Sequence, residues 1–158
     1  MLTNYKGRHL YGVEVKLNEW EKNLENYIEQ VRTKPFQWGF HDCIVFSNQA
    51  MKVQTGKGYL DDYLPDYETA LQAKRTYQTI MTNMGVKDMR EALDSRLKRF
   101  IGLVPPKGSI VARKNKETDG YAIGYNIGIA LDHRVMFISR EGIVFLRVEV
   151  GDTFWAVD

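Results

Sequence analysis

Apolar residues recur at helical spacing near the start of the chain. In LNEWEKNLENYIEQVRT they follow one another at steps of three and four, which places them in one stripe along a helix. The stripe comprises Leu17, Trp20, Leu24, Tyr27 or Ile28, and Val31. Asn18 and Glu21 have the spacing of a capping box, and Pro35 closes the segment because proline disfavours helical conformation in the residue before it. These signals predict a first helix that ends before Pro35.

A second helix is predicted from Asp42 to Gly56. Asp42 can accept a hydrogen bond from a first-turn amide, and Gly56 can end the helix in the left-handed conformation that glycine adopts at little cost. Cys43, the only cysteine of the chain, would then lie in the first turn of this helix.

Two further helices follow in the pattern. DYETALQAKRTYQTIMTNMG has an apolar side and is predicted to be capped by Asp66 and ended by Gly85. Its inward residues are Ala70, Ala73, Tyr77, Ile80 or Met81, and Met84. KDMREALDSRLKRF repeats the pattern over a shorter length, with an apolar side made of Met89, Leu93, Leu97 and Phe100. The first hundred residues are therefore expected to be helical.

The pattern changes to strands after GLVPPKG. Short segments rich in β-branched and aromatic residues follow, and Gly, Asp and Asn separate them. They are SIVARK, YAIGYNIGIAL, RVMFIS, GIVFLRVEV and TFWAVD. This order predicts an α+β domain in which N-terminal helices pack on one face of a C-terminal antiparallel meander. We expect one domain over residues 1–158, with an N-terminal extension (1–16), a helical part (17–100) and a sheet (108–158).

One hairpin in the sheet sets a register. Asp132 and His133 are predicted to form a two-residue turn, so that Asn126 faces Ser139 on the adjacent strand. His133 lies seven residues from Asn126, about 23 Å along a strand, so the two cannot serve one site. His133 is therefore expected to be an exposed turn residue.

Composition excludes several classes of function. The chain has 158 residues, of which 44% are hydrophobic and 27% charged, as expected for a globular protein. A net charge of +2 gives no field that would draw nucleic acid, and the basic runs SRLKRF and ARKNKE are interpreted as solvated faces. One cysteine and three scattered histidines have no zinc spacing, so neither a metal nor a cofactor is predicted. No apolar run is long enough for a membrane span, and the N-terminus lacks a signal-peptide layout, which predicts synthesis in the cytoplasm.

Cys43 is the first candidate for chemistry. A cysteine at a helix N-terminus lies near unpaired amides, which lower the pKa of a thiol and favour the nucleophilic thiolate. A free cysteine before an apolar run is also a common buried residue, so packing is the competing interpretation. His41 is the nearest candidate base, but residues two apart do not share a helix face. A turn could return its ring to Cys43; otherwise His41 would lie at the surface or support a neighbour by a hydrogen bond.

The order of these motifs resembles that of the NlpC-type cell-wall cysteine peptidase superfamily, which has a circularly permuted papain-like fold. The likeness is carried by WGFHDCIVF before a helix, then KGSIVA, NIGIAL, MFIS and the closing FWAVD. The chain is more closely similar to a short, functionally uncharacterised family of such domains encoded in phage and prophage tail regions, over Leu17 to Asp158. PFQWGFHDC is the most specific element of the resemblance.

The resemblance implies roles for particular residues. In the superfamily the motif cysteine is the nucleophile, a histidine that opens the H-hydrophobic-G-hydrophobic strand is the base, and a polar residue on the next strand orients that base. Cys43 matches the nucleophile, but the base position falls on Asn126 and the orienting position falls near Ser139. An asparagine amide cannot take up a proton at neutral pH. The resemblance therefore supports the fold more strongly than the activity.

The same comparison gives three neighbours of Cys43 a position. Trp38 and Phe36 fall where they would wall a cleft beside the cysteine, although core packing is the competing interpretation. Asp42 is interpreted as a helix cap rather than a catalytic acid, because its backbone position suits a cap.

Two functional hypotheses follow. The first is a phage or prophage tail-associated virion or assembly protein whose catalytic machinery is incomplete and whose partners are other tail or virion proteins. It would be made in the host cytoplasm and incorporated into the virion. The second is an active cysteine endopeptidase or amidase that cuts peptidoglycan peptides, with Cys43 as nucleophile and a relocated base, His41.

Overall fold

The computed structural model describes residues 16–63, 66–116 and 124–157. Within them four helices precede an antiparallel sheet of six strands. The elements are α1 (Trp20–Val31), α2 (Cys43–Thr55), α3 (Ala70–Met84), α4 (Met89–Arg96), β1 (Lys98–Phe100), β2 (Ile110–Lys114), β3 (Tyr125–Leu131), β4 (Arg134–Ser139), β5 (Gly142–Arg147) and β6 (Thr153–Ala156). The predicted α+β class is confirmed. Nearly all of the predicted N-terminal extension lies outside the described residues, as do positions 121–123 of YAIGYNIGIAL and the closing Asp158.

The start and the end of α2 are those predicted from the sequence. The Asp42 carboxylate accepts hydrogen bonds from the amides of Ile44 and Val45, and Gly56 ends the helix at φ 90°. The Gly56 amide donates to the Lys52 carbonyl at 2.7 Å. Both ends are therefore fixed by residues within a few positions of each other, which is why the sequence pattern sufficed to place them.

The predicted start of α1 is wrong. The helix follows Glu19, which has a left-handed φ of 60°, and no side chain caps it, so Asn18 and Glu21 do not form a capping box. The Leu17 amide instead donates to the Gln54 carbonyl at the end of α2, at 2.7 Å. This tertiary hydrogen bond holds the approach to α1 against α2 and outside the helix.

The cap of α3 also differs from the prediction. The Thr69 hydroxyl accepts from the Gln72 amide at 3.2 Å and marks the helix start, three residues beyond Asp66. Gly85 ends the helix in left-handed conformation, as predicted. Two side chains with capping ability preceded the apolar stripe, and the one nearer to it forms the cap.

The fourth helix is shorter than its apolar pattern. It ends at Arg96, and Lys98–Phe100 forms β1 instead of a last helical turn, so the predicted helical roles of Leu97 and Phe100 are wrong. β1 pairs with β6, which sets Phe100 opposite Phe154. The backbone amides and carbonyls of this segment pair with β6, near the other end of the chain. The local spacing of apolar residues cannot predict such a distant partner.

The strand order in the sheet is β1-β6-β2-β3-β4-β5. Strands β2 to β5 form the predicted meander, but β6 returns to lie between β1 and β2. The register of the β3–β4 hairpin is as predicted, with Leu131 opposite Arg134. This pairing stops short of the predicted Asn126–Ser139 pair, and the Ser139 carbonyl accepts from the Phe36 amide at 3.0 Å. The two strands therefore part towards one end of the sheet.

Both faces of the sheet bury apolar side chains. The helices pack on one face, as predicted, and bury a core to which the sheet contributes Ile110, Ala112, Ile127, Ile129, Met136 and Trp155. On the opposite face a smaller cluster comprises Val111, Ala130, Val135, Phe137 and Phe154. Trp155 and Phe154 therefore complete the packing of the sheet from its two sides.

Other backbone and side-chain groups cover part of the free edge of β5. The Ile143 amide donates to the Arg32 carbonyl at 2.9 Å, and the Arg147 carbonyl accepts from the Arg113 guanidinium at 2.8 Å. Gly142, at φ 116°, lies so close to the Arg32 carbonyl that a Cβ atom would collide with it. The segment after α1 thus occupies the place of a further strand at this end of β5.

A buried ion pair holds the connection between β5 and β6. The guanidinium of Arg113 makes two hydrogen bonds of 2.8 Å to the carboxylate of Asp152, whose side chain is only 1% exposed. Arg113 also lies over the Phe137 ring, 5.1 Å from its centroid. Such a pair is costly to break from one side because the remaining charge is left without its partner.

We expect Asp152→Ala to lower the free energy of unfolding by about 2–3 kcal/mol, because Arg113 loses its two short hydrogen bonds and keeps only the 3.3 Å pair with the exposed Glu149. Urea denaturation followed by circular dichroism measures this difference. Glu29→Ala, which removes an exposed pair with Arg32 at 3.5 Å, is the control and should change the stability little. Equal effects of the two substitutions would contradict a structural role for the Arg113 pair.

Candidate functional site

A cavity of about 240 Å³ lies at the start of α2, beside the ends of β3 and β4 that diverge from each other. The lining residues are Phe36, Trp38, Asp42, Cys43, Ile44, Tyr77, Tyr125, Asn126, Ile138, Ser139 and Arg140. Six of the seven site residues predicted from the sequence are among them, and His41 is not. The structure therefore brings most of the predicted site together from three separate segments of the chain.

Cys43 lies in the first turn of α2 and lines the cavity. Burial raises the pKa of its thiol to about 12, and the negative charge of Asp42 adds to this rise. The backbone amides of Ile127, Cys43 and Ile44 oppose it by donating hydrogen bonds towards the sulfur. The helix start, which by itself favours a thiolate, is outweighed by burial. The thiol is consequently protonated at neutral pH.

Asp42 is the cap of α2, as predicted, and it also ties the surrounding loops together. Its side chain accepts hydrogen bonds from the amides of Ile44 at 3.0 Å and Val45 at 2.9 Å, from the Gly39 amide at 3.0 Å and from the Tyr67 hydroxyl at 2.6 Å. Gly39 can approach the Asp42 carboxylate because it adopts a φ of 78° and lacks a Cβ atom. A Cβ at this position would collide with the Tyr67 carbonyl. With four donors on its two oxygens, the carboxylate is fully engaged.

Two tyrosines extend the hydrogen bonds of Asp42 to the cavity wall. Tyr67 donates its proton to Asp42, so its oxygen must accept from Tyr77, with which it is in direct hydrogen-bond contact. Burial, and then the charge of Asp42, raise the pKa of both phenols well above their ordinary value. Both tyrosines are therefore neutral, and the chain of donors runs from Tyr77 through Tyr67 to Asp42.

His41 lies outside the cavity. Its side chain is buried, at 1% exposure, and packs edge-on against Phe46 with ring centroids 6.2 Å apart. The backbone explains this orientation, because His41 closes a tight bridge with Gln37 through hydrogen bonds of 2.8 and 3.0 Å. The alternative that places His41 at the surface is wrong. The structure likewise does not bring this imidazole to the cavity that holds the Cys43 thiol.

The His41 imidazole is buried without a partner for its Nε2 atom among the described residues. Burial, and then the positive charge of Lys34, lower the pKa of this imidazole from 6.5, while Asp42 opposes the shift. The neutral form is therefore the one that the fold stabilises.

We expect the free energy of unfolding to fall as the pH drops below about 6.5, because His41 in the unfolded chain then takes up a proton that the folded protein binds more weakly. His41→Gln should flatten this pH dependence, measured by urea denaturation between pH 7.5 and 5. His133→Gln, in an exposed turn, is the control and should leave the dependence in place. An unchanged pH profile in His41→Gln would show that other groups cause it.

Asn126 and Ser139 both line the cavity, but they differ in their hydrogen bonding. The Ser139 hydroxyl donates to the Gly142 carbonyl at 2.7 Å and accepts from the Glu141 amide at 3.1 Å. These bonds belong to the turn between β4 and β5, so Ser139 serves that turn rather than orienting a neighbour. Asn126 adjoins Ile127, whose amide is directed at the Cys43 sulfur. Asn126 is therefore the polar residue of β3 that lines the cavity together with Cys43.

Phe36 and Trp38 form part of the cavity wall, as the resemblance implies. Their rings contact each other edge-on with centroids 4.7 Å apart, and Trp38 makes a second edge contact with Tyr67 at 6.4 Å. Both side chains are half-buried. The two interpretations of these aromatics, as cleft wall and as packed residues, are therefore both correct. Each ring packs against a neighbouring ring and also borders the cavity.

Sequence reasoning missed five of the lining residues. Tyr77 was expected to face inward from α3 but not to line a site, and Ile44, Tyr125, Ile138 and Arg140 were given no role at the site. The β3–β4 register placed Asn126 near Ser139, and extending it by one residue on each strand would have pointed to three of these five. Tyr77 had no such signal, since its position depends on how α3 packs.

The site offers no metal centre of the ordinary kind. Among the described residues no group of three or more His, Cys, Asp or Glu side chains could hold an ion. In the same part of the chain, no helix has the length and apolar character that a membrane crossing requires.

Comparison with known families assigns the chain to one of them. The family model described as "Domain of unknown function (DUF6950)" matches residues 15–157. The chain belongs to the DUF6950 family. The match covers all four helices and all six strands described above for this DUF6950 chain. Neither the curated proteins nor the solved structures contain a match to this DUF6950 chain.

Proposed function

We propose that this protein is a catalytically degenerate domain of the NlpC-like, permuted papain-like type that serves as a tail-associated virion or assembly protein of a phage or prophage. The observation that carries the proposal is a cavity with a cysteine at a helix start and an asparagine, rather than a histidine, beside it. The tail association is supported by the order of motifs along the chain, which resembles that of domains encoded in tail regions.

The state of the thiol supports the absence of catalysis. A cysteine peptidase needs a thiolate and a group that accepts and returns its proton. Here burial keeps the Cys43 thiol protonated, and the described lining residues include no imidazole. Asp42 cannot replace it, since its oxygens are engaged by four donors. A missing general base typically costs about a hundredfold to ten-thousandfold in rate.

Alkylation of Cys43 by iodoacetamide tests the first part of the proposal. Native protein should be labelled slowly from pH 6 to pH 9, and protein unfolded in urea should be labelled with the pH profile of a free thiol, whose pKa is about 8.5. The native protein should also release no fragments from purified peptidoglycan. Rapid native labelling at pH 7 that disappears in His41→Ala would contradict the degenerate site and favour the active peptidase or amidase.

Virion composition tests the second part. The protein should be found by mass spectrometry in purified particles or in tail assembly intermediates, and loss of its gene should reduce complete tails. Complementation with Cys43→Ser should restore particle formation and infectivity. Failure of Cys43→Ser, with the variant folded as judged by circular dichroism, would contradict a role that does not need the thiol.

A further inference from the structure

We propose that the cavity beside Cys43 binds the C-terminal residue of a partner polypeptide, with its carboxylate on Arg140 and its apolar side chain between Phe36, Trp38 and Tyr125. This inference rests on the proposed function, because it takes the cavity as a recognition site rather than a reaction centre. It adds the chemistry of the ligand, which neither the family nor the fold specifies.

The size and the walls of the cavity limit what it can hold. About 240 Å³ is less than the roughly 300–1,000 Å³ of pockets that enclose drug-sized ligands. Four of the lining side chains are aromatic, namely Phe36, Trp38, Tyr77 and Tyr125, and two more are isoleucines. A cavity of this size and composition suits one apolar group of amino-acid size.

The charged residues of the cavity determine the orientation in which a ligand would bind. Asp42 is 1% exposed at the start of α2, and its negative charge disfavours an anion at that end. Arg140 is the only lysine or arginine among the described residues of the lining. It lies exposed in the turn between β4 and β5 and forms no ion pair with a described residue. A planar guanidinium binds a carboxylate through two parallel hydrogen bonds. The ligand should therefore place its carboxylate at the exposed turn and its apolar part inside.

Polar groups between these ends suit a peptide bond. Asn126 lines the same cavity as Cys43, and its side chain carries both a donor and an acceptor. The thiol is protonated and contributes no charge to this part of the wall. An amide one residue before a terminal carboxylate can use both functions of Asn126, whereas a simple apolar acid uses neither. A chain terminus also suits a protein that works by association with other proteins.

The test is an NMR titration of the full-length protein with two synthetic pentapeptides, Gly-Gly-Gly-Gly-Phe and the same peptide with a C-terminal amide. The free acid should bind at least about tenfold more tightly, because a hydrogen-bonded charge pair is lost with the amide. Resonances of Trp38 and Asn126 should shift. Equal affinity for the acid and the amide would overturn the inference.

Two variants and one further probe sharpen the experiment. Arg140→Gln should abolish the preference for the acid while leaving the affinity for the amide unchanged, and Arg134→Gln, an exposed arginine in the other hairpin, should alter neither. 3-Phenylpropanoic acid, which has the carboxylate and the ring but no amide, should bind more weakly than the pentapeptide; equal binding would overturn the assignment to a chain terminus. Iodoacetamide labelling tests the proposed function separately. A reactive Cys43 together with acid-selective binding would refute the degenerate enzyme and keep the carboxylate site.

Discussion

Asn126→His is expected to turn the inert Cys43 thiol into a reactive one. Asn126 lines the same cavity as the cysteine, and the amide of the next residue, Ile127, is directed at the sulfur. An imidazole at this position has a pKa near neutrality and would accept the thiol proton, so that a thiolate and an imidazolium stabilise each other. The amides around the sulfur favour its anionic form, and a neighbouring imidazolium would offset the burial that raises the pKa of the thiol.

The expected increase in the rate of Cys43 labelling is large enough to measure directly. We expect iodoacetamide labelling of native Asn126→His at pH 7 to be faster than that of the natural protein by on the order of a hundredfold, the lower end of what a positioned base supplies. Asn126→Gln, which keeps an amide, is the control and should label as slowly as the natural protein. If Asn126→His also labels slowly while remaining folded, residue 126 is not in reach of the sulfur.

Asp42→Ala is expected to cost about 3–5 kcal/mol of the free energy of unfolding. The substitution removes the cap of α2 and leaves the Gly39 amide and the Tyr67 hydroxyl without an acceptor in a buried region. Since domains of this size are stable by about 5–15 kcal/mol, the loss is a large part of the total. Urea denaturation followed by tryptophan fluorescence measures it.

A matched control exists in α4. Asp88 also caps a helix, but among the residues that the structure describes it accepts only from the Glu91 amide, at 2.9 Å. Asp88→Ala should therefore cost about 1 kcal/mol, the ordinary value of a cap. Similar losses from the two aspartates would show that the bonds of Asp42 to Gly39 and Tyr67 contribute nothing. Tyr67→Phe should cost less in the Asp42→Ala background than alone, because the two groups share one hydrogen bond.

The parts of the fold that the sequence predicts are those decided by neighbouring residues. Both ends of α2, the C-terminal glycine of α3 and the register of the β3–β4 hairpin depend on side chains a few positions apart, and all were predicted correctly. The errors occur where a distant segment competes. Leu17 is held by α2, and Lys98–Phe100 pairs with β6 from the far end of the chain.

The candidate site divides in the same way. The motif PFQWGFHDC identified Cys43 and its neighbours, because they are contiguous in the chain. The protonation of Cys43 and the position of His41 depend on packing. Burial raises the pKa of the Cys43 thiol against the effect of the helix start, and the His41 ring packs against Phe46 instead of lining the cavity. Arg140 was missed because an exposed charge in a hairpin turn is common, and only the packed structure shows a cavity beside it.

The covered edge of β5 limits how this protein can join an assembly. Sheets extend from one molecule to the next when an edge strand offers a row of free amides and carbonyls. At one edge of the sheet, the Ile143 amide of β5 already donates a hydrogen bond to the Arg32 carbonyl. At the other edge, β1 is only three residues long and includes Lys98 and Arg99. Between β1 and β2 the chain instead presents apolar side chains to solvent, with Ile101 84% and Leu103 99% exposed. The partner proteins proposed above would thus contact exposed side chains rather than extend the sheet.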